Sequence, residues 1–240
     1  MKPILIIAAV SQETALLEKA LNNCSRRQSA VFDVVEGVLG SLRIVLCAGG
    51  IGKINAAIAT TALIERYQPR QVINVGCAGA YPDSGLSIGD LVVAREEILG
   101  DEGVITSAGW LDFQGMGLPL LVQGDQHYYN EIPLTDSCVD NALLLAGRLG
   151  VTLIPGRFVT VSTCSGSWQR GEELARQFGA IVENMEGAAV ALTCRRYNID
   201  CIEIRGISNL VEERDLKAWD IPQAVEAAQK FVLEYLDDLD

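Results

Sequence analysis

The chain has 240 residues, enough for one large α/β domain or two small ones. Apolar residues make up 49% and charged residues 21%, the balance of a well-cored globular protein. The net charge of -12 argues against a nucleic-acid or anionic-membrane surface, because both need clustered Lys and Arg.

The N-terminal stretch "MKPILIIAAVSQE" has an apolar core of only seven residues, Ile4 to Val10, and a helical pattern follows at once. That favours a buried first strand over a secretory leader. No apolar run approaches the roughly 20 residues of a membrane span. In chain order the pattern predicts a strand at Ile4–Ala9, a helix at Glu13–Leu21, and strands at Val31–Val35 and Leu42–Cys47. A helix at Asn55–Tyr67, ended by Pro69, precedes strands at Val72–Val75 and Leu91–Ala94. The region from Glu96 to Pro133 is rich in glycine and aromatics with weak periodicity. It reads as loops with a short strand or two, suited to an active-site rim or an oligomer contact. Then come a helix at Asp136–Leu149 with Gly150 after its end, a strand at Arg157–Val161, a short helix at Gly171–Phe178 and a strand at Ala180–Val182. A helix at Asn184–Tyr197, a strand at Cys201–Ile207 and an amphipathic helix at Ile221–Leu236 with Pro222 at its start complete the chain.

Strands alternate with helices, and several strands are apolar on both faces. This predicts a central, mostly parallel or mixed sheet covered by helices on both sides, a three-layer α/β/α sandwich. No linker, repeat or low-complexity segment interrupts the chain, so residues 1–240 read as a single domain.

Seven cysteines, an odd number with no C-x-x-C pair, stand beside a single histidine, His127. They give no metal signature and read as reduced thiols of a cytoplasm, buried as small apolar residues. Cys77 and Cys164 have no histidine partner readable in sequence. His127, in "GDQHYYN", reads as a loop residue.

Three segments suit a ligand site. "AGGIGKINAA", Ala48 to Ala57, follows a strand and opens a helix, but Asn55 occupies the third glycine position of a dinucleotide fingerprint. It is either a tight turn with positive φ at Gly50 and Gly52 or a turn lining a substrate pocket. "NVGCAGA", Asn74 to Ala80, is a second glycine-rich turn after a strand, and small residues there make a floor for a flat ligand. "RGISN", Arg205 to Asn209, ends another apolar strand with polar side chains. Two carboxylates need explanation. Glu13, in "SQETALLE", either complements a helix dipole behind a Ser11 cap or serves a site. Glu186, in "VENMEGAAVALTC", falls in the first turn of an apolar helix and is followed by small residues. A buried carboxylate without partners is costly, so Glu186 faces water or something polar meets it.

Taken in order, "IIAAVSQE", "AGGIGKINAA", "INVGCAGA", "VENMEGAAVA" and "IRGISN" resemble the purine nucleoside phosphorylase/nucleosidase superfamily over nearly the whole chain, least between Glu96 and Pro133. The resemblance implies that family's partly barrel-like central sheet. It is closest to the hydrolytic branch containing methylthioadenosine/S-adenosylhomocysteine nucleosidases. Within that branch "VSTCSGS", "ENMEGAAVA" and "RGISNLVEERDLKAWDIP" are similar to futalosine hydrolases, which release hypoxanthine from futalosine in a menaquinone route.

The resemblance implies roles. Glu186 accepts hydrogen bonds from ribose hydroxyls, with Met185 packed on the sugar. Glu13 orients and activates a water. Thr163, Cys164 and Ser165 line the base pocket, and Cys77 and Gly79 form its floor. Glu13 and Asn74 stand where the phosphorylase branch uses arginines, which favours hydrolysis. Asn209 replaces the Asp of adenine-specific nucleosidases. An amide donates where an ionised carboxylate only accepts, so Asn209 points to a 6-oxopurine, hypoxanthine or guanine. Implied too are a small-molecule purine nucleoside as ligand, no metal or organic cofactor, and at least a homodimer. The alternatives are a methylthioadenosine/S-adenosylhomocysteine nucleosidase, a phosphorylase, or a nucleoside-binding domain without turnover.

Overall fold

The computed structural model describes residues 2–240. The strands are β1 (Ile4–Ala8), β2 (Asn22–Ser29), β3 (Phe32–Leu39), β4 (Leu42–Ala48), β5 (Gln71–Ala80), β6 (Leu91–Leu99), β7 (Val104–Thr106), β8 (Gly109–Leu111), β9 (Leu121–Gln123), β10 (Gln126–Tyr128), β11 (Glu131–Pro133), β12 (Leu153–Thr160), β13 (Val182–Asn184) and β14 (Asp200–Leu210). The helices are α1 (Ala15–Ala20), α2 (Lys53–Tyr67), α3 (Asp136–Leu149), α4 (Trp168–Phe178), α5 (Gly187–Tyr197) and α6 (Ile221–Asp238).

Ten strands form one mixed sheet. β1 lies between β4 and β5, parallel to both, and every residue of "ILIIA" is buried. This is why the run is apolar without alternation. Beyond β5 the sheet curls and closes: β5 pairs with β14, β14 with β6, β6 with β12, β12 with β13, and β13 returns to β5. That five-stranded ring is the barrel-like part of a single α/β domain. Helices α2 and α5 pack on each other, and α6 lies on β14 and β5, with α1 and α3 against it.

Several elements differ from the sequence reading. β2, "NNCSRRQS", was not expected. It is an exposed edge strand paired only with β3, so nothing in it needs to be apolar, and its charges protect a free edge. The stretch between Glu96 and Pro133 completes β6 and adds five three-residue strands, more than a short strand or two. "NVGCAGA" is not a turn: β5 continues through it to Ala80, paired along its length with β14. "RGISN" likewise stays in β14, with a bulge between Ile207 and Asn209. Both extensions build the ring, and a pairing partner distant in sequence is what overrides the local glycine signal.

Candidate active site

Glu13 follows β1 in a 3-10 turn, Ser11–Glu13, and is buried. Its carboxylate folds back over the strand end. Oε2 accepts from the backbone N–H of Ala9 at 2.9 Å and of Val10 at 3.1 Å. Oε1 accepts from the Cys77 N–H at 3.1 Å, tying the end of β1 to β5. Helix α1 starts only at Ala15, so the carboxylate does not cap α1; its bond to Val10 closes the N-terminus of the 3-10 turn, and its bonds to Ala9 and Cys77 tie β1 to β5. A Cβ on Gly76 would lie 2.5 Å from Glu13 Oε1 and 2.6 Å from Arg205 Nη1. The glycine there makes room for two charges.

Glu186 sits just before α5, not inside its first turn, because the Asn184 side chain starts the helix. Asn184 Oδ1 accepts from the N–H of Glu186 at 2.9 Å and of Gly187 at 2.7 Å. Glu186 Oε1 accepts from the Gly52 N–H at 2.9 Å, so "AGGIGK" supplies a donor to this acid, with φ of 104° at Gly50 and 93° at Gly52. Glu186 Oε2 is 3.5 Å from Nη1 of Arg205. Protein groups, not solvent, meet the buried charge.

Arg205 is among the largest fully buried side chains. Nε donates to Glu203 Oε1 at 2.8 Å and Nη1 to the Cys77 carbonyl at 3.2 Å, while Nη2 has no partner among the described residues. Burial opposes its charge, but the carboxylates of Glu203, Glu186 and Glu13 outweigh burial and hold the guanidinium ionised.

Asn209 follows the bulge in β14. Its Oδ1 accepts from Ser208 Oγ at 2.8 Å and its Nδ2 donates to the Leu210 carbonyl at 3.1 Å. The carbonyl partner fixes the amide orientation and leaves one N–H on Nδ2 for a ligand.

These groups meet at one cavity of about 320 Å³. Glu13, Cys77, Gly79, Cys164, Ser165, Met185, Glu186 and Asn209 all line it, whereas Thr163 is exposed and outside the lining. A larger depression of about 770 Å³, around Lys2, Gln68 and Asp200, shares no lining residue with it. Burial first, then the Glu13 charge, pushes the Cys77 thiol up to about 11, and burial raises Cys164 as well. Both remain thiols near neutral pH, unsuited to nucleophilic work. His127 is exposed in β10 and not part of this cavity. No cluster of His, Cys, Asp or Glu that would hold a metal occurs among the described residues, and no described helix is long and apolar enough to cross a membrane.

The sequence reading assigned no role to Arg205 or Glu183. Glu183 also lines the cavity, and its two oxygens accept from the Ser165 N–H at 2.8 Å and Ser165 Oγ at 2.6 Å, which pins the loop carrying Cys164. Burial raises its carboxyl despite those bonds. The available signal was a charge set inside an apolar strand: Arg205 and Glu203 in "CIEIRGI", Glu183 in "AIVEN".

A closed ring of strands with buried acids, a buried arginine and a donor amide around one cavity makes a site suited to a small polar molecule. The family model of the phosphorylase superfamily matches residues 3–237, and the chain belongs to that family. A 5'-methylthioadenosine/S-adenosylhomocysteine nucleosidase of Halalkalibacterium halodurans is 33% identical over 211 residues, 88% of this chain and 86% of that protein. A futalosine hydrolase of Thermus thermophilus is 35% identical over 187 residues, 78% of each chain. Among solved structures, the 5'-methylthioadenosine/S-adenosylhomocysteine nucleosidase of Neisseria meningitidis in complex with methylthio-immucillin-A superposes with a TM-score of 0.85 at 27% identity, covering 99% of this chain and 100% of the other. Futalosine hydrolase of Helicobacter pylori shares the fold with a TM-score of 0.85 at 24% identity, covering 99% and 98%.

Proposed function

We propose that this enzyme hydrolyses the N-glycosidic bond of a 6-oxopurine nucleoside, futalosine first among them, releasing hypoxanthine. The observation that carries the reading is the single cavity lined by Glu13, Glu186 and Asn209 together. Glu186 accepts hydrogen bonds from the ribose hydroxyls, with Met185 against the sugar, and stabilises positive charge growing on it. Glu13, fixed by three N–H donors, holds the attacking water and takes its proton. The remaining N–H of Asn209 meets the departing base and steadies negative charge on it. Cys77 and Gly79 floor the base pocket, and Cys164 and Ser165 wall it.

Hydrolysis is favoured over phosphorolysis because Arg205 is already surrounded by three carboxylates and is poorly placed to neutralise phosphate. A second copy of the chain is the proposed partner. Ile51, just before α2, and Ile54 and Ile58, in its first two turns, are 57%, 77% and 49% exposed, and Ile51 also lines the cavity. A copy seated there covers the apolar row and closes the rim.

The second reading, a methylthioadenosine/S-adenosylhomocysteine nucleosidase, is supported by the similarity to proteins of that name. Free-base release from futalosine, inosine, adenosine and methylthioadenosine, with and without phosphate, separates the readings. Phosphate-independent hypoxanthine release supports the first. Adenine as the preferred product supports the second, and strict dependence on phosphate overturns hydrolysis.

A further inference from the structure

A second acidic pair stands behind the sugar-binding acid, and neither member lines the cavity. Glu97 on β6 and Glu203 on β14 are fully buried. A Cβ on Gly187 would collide with Glu97 Oε1 and with Glu203 Oε2, so these two oxygens crowd the one point where α5 offers no side chain. Their other partners are accounted for. Glu97 Oε2 accepts from Thr160 Oγ1 at 2.6 Å and Glu97 Oε1 from Asn184 Nδ2 at 2.6 Å. Glu203 Oε1 accepts from Arg205 Nε at 2.8 Å. Glu203 Oε2 is buried without a donor among the described residues. Two ionised carboxylates that close repel, and one proton between them removes the repulsion and supplies the missing donor.

We propose that Glu97 and Glu203 share one proton, held on Glu97 and donated to Glu203 Oε2, and that the pair positions Glu186 through two arms. One arm runs from Glu97 through Asn184 to the backbone N–H groups of Glu186 and Gly187. The other runs from Glu203 through Arg205 to the Glu186 carboxylate. Burial and then the Glu203 charge raise the Glu97 carboxyl well above its ordinary range, against Thr160, Arg205 and Asn184. The other titratable groups facing the pair are Tyr81 toward Glu97 and Cys201 toward Glu203. Burial raises the first, and a hydrogen bond with Cys194 raises the second, so both stay neutral. Beyond Arg205 lie Glu186 and Glu13.

The sign follows. Glu97 binds its proton more tightly in the folded chain than in the unfolded one. Its contribution is therefore whole at low pH and is lost as pH rises through the folded value. Both carboxylates then ionise, the bridge opens, and activity gains an alkaline limb.

The positioning role rests on the proposed sugar-binding role of Glu186; the proton does not. Infrared spectra at pH 7 of wild type minus Glu97→Gln test the proton, and kcat against pH tests the role. A protonated-carboxyl band that shifts in D2O is expected in the difference. Glu97→Ala removes the bonds to Thr160, Asn184 and Glu203 and is expected to lower kcat by at least about tenfold, the low end for one hydrogen bond to a charged group. Glu97→Gln can keep a neutral donor toward Glu203 only by setting its NH₂ against Asn184 Nδ2, so it is expected to recover part of that kcat and to lose the alkaline limb. A difference spectrum without the band overturns the shared proton even if no nucleoside is hydrolysed. A band with an unaltered alkaline limb in Glu97→Gln overturns the positioning role. If wild type itself releases no base from any nucleoside, the functional reading falls while the infrared result still decides the proton.

Discussion

Replacing Glu13 by Gln separates chemistry from scaffolding. The carboxylate accepts three backbone N–H bonds, two at Oε2 and one at Oε1. A Gln side chain keeps the two from Ala9 and Val10 by placing its carbonyl there, but its NH₂ then opposes the Cys77 N–H. One charge-assisted bond is lost and two donors face each other, at a cost of about 1.5–3 kcal/mol. For a chain of this size that lowers Tm by about 3–12 °C, which leaves the protein folded at 25 °C. If Glu13 is the proposed proton acceptor, its loss removes about 10²–10⁴ in kcat. Thermal unfolding measures the first effect, and kcat for hypoxanthine release at 25 °C measures the second. A variant with lowered Tm but kcat within about threefold of wild type would show that Glu13 only laces β1 to β5, and the assigned role would be wrong.

Asn209→Asp replaces the one free N–H with an acceptor. It is expected to shift kcat/KM from 6-oxo toward 6-amino substrates by about 10–100-fold, read as hypoxanthine and adenine released by each enzyme. An unshifted ratio removes Asn209 from base selection. Gly76→Ala places a methyl group against Glu13 Oε1 and Arg205 Nη1, both buried and tethered, and is expected to cost about 1–3 kcal/mol of stability and most of the activity. Full activity would mean that the two charges have room to move. With its thiol pushed up to about 11, Cys77 is about one-thousandth ionised at pH 8, so iodoacetamide should modify exposed Cys24 long before Cys77, checked by peptide mass.

Much of this arrangement was legible in the sequence because it obeys local rules. The apolar run of β1 follows from burial on both faces, and Pro222 and Gly150 mark helix ends where α6 begins and α3 stops. That Glu13, Glu186 and Asn209 line one cavity was foreseen through their segments' resemblance to a family, since a carboxylate after a strand has a bland reading of its own. What stayed hidden depends on distant partners. β2 is polar because it lies at an edge, and β5 and β14 run on through glycines because each pairs with the other. Glu97, Glu203 and Arg205 come from two strands far apart in sequence and make sense only when the ring brings them against Gly187 and Glu186. A single charge inside an apolar strand signals an unknown partner, but only the closed sheet supplies it.

The most direct measurement is a competition: equimolar futalosine and methylthioadenosine in phosphate-free buffer, with both free bases quantified as the mixture is consumed. The account predicts hypoxanthine in large excess over adenine, at a rate that added phosphate does not change. Adenine in excess, or no base until phosphate is added, would contradict it.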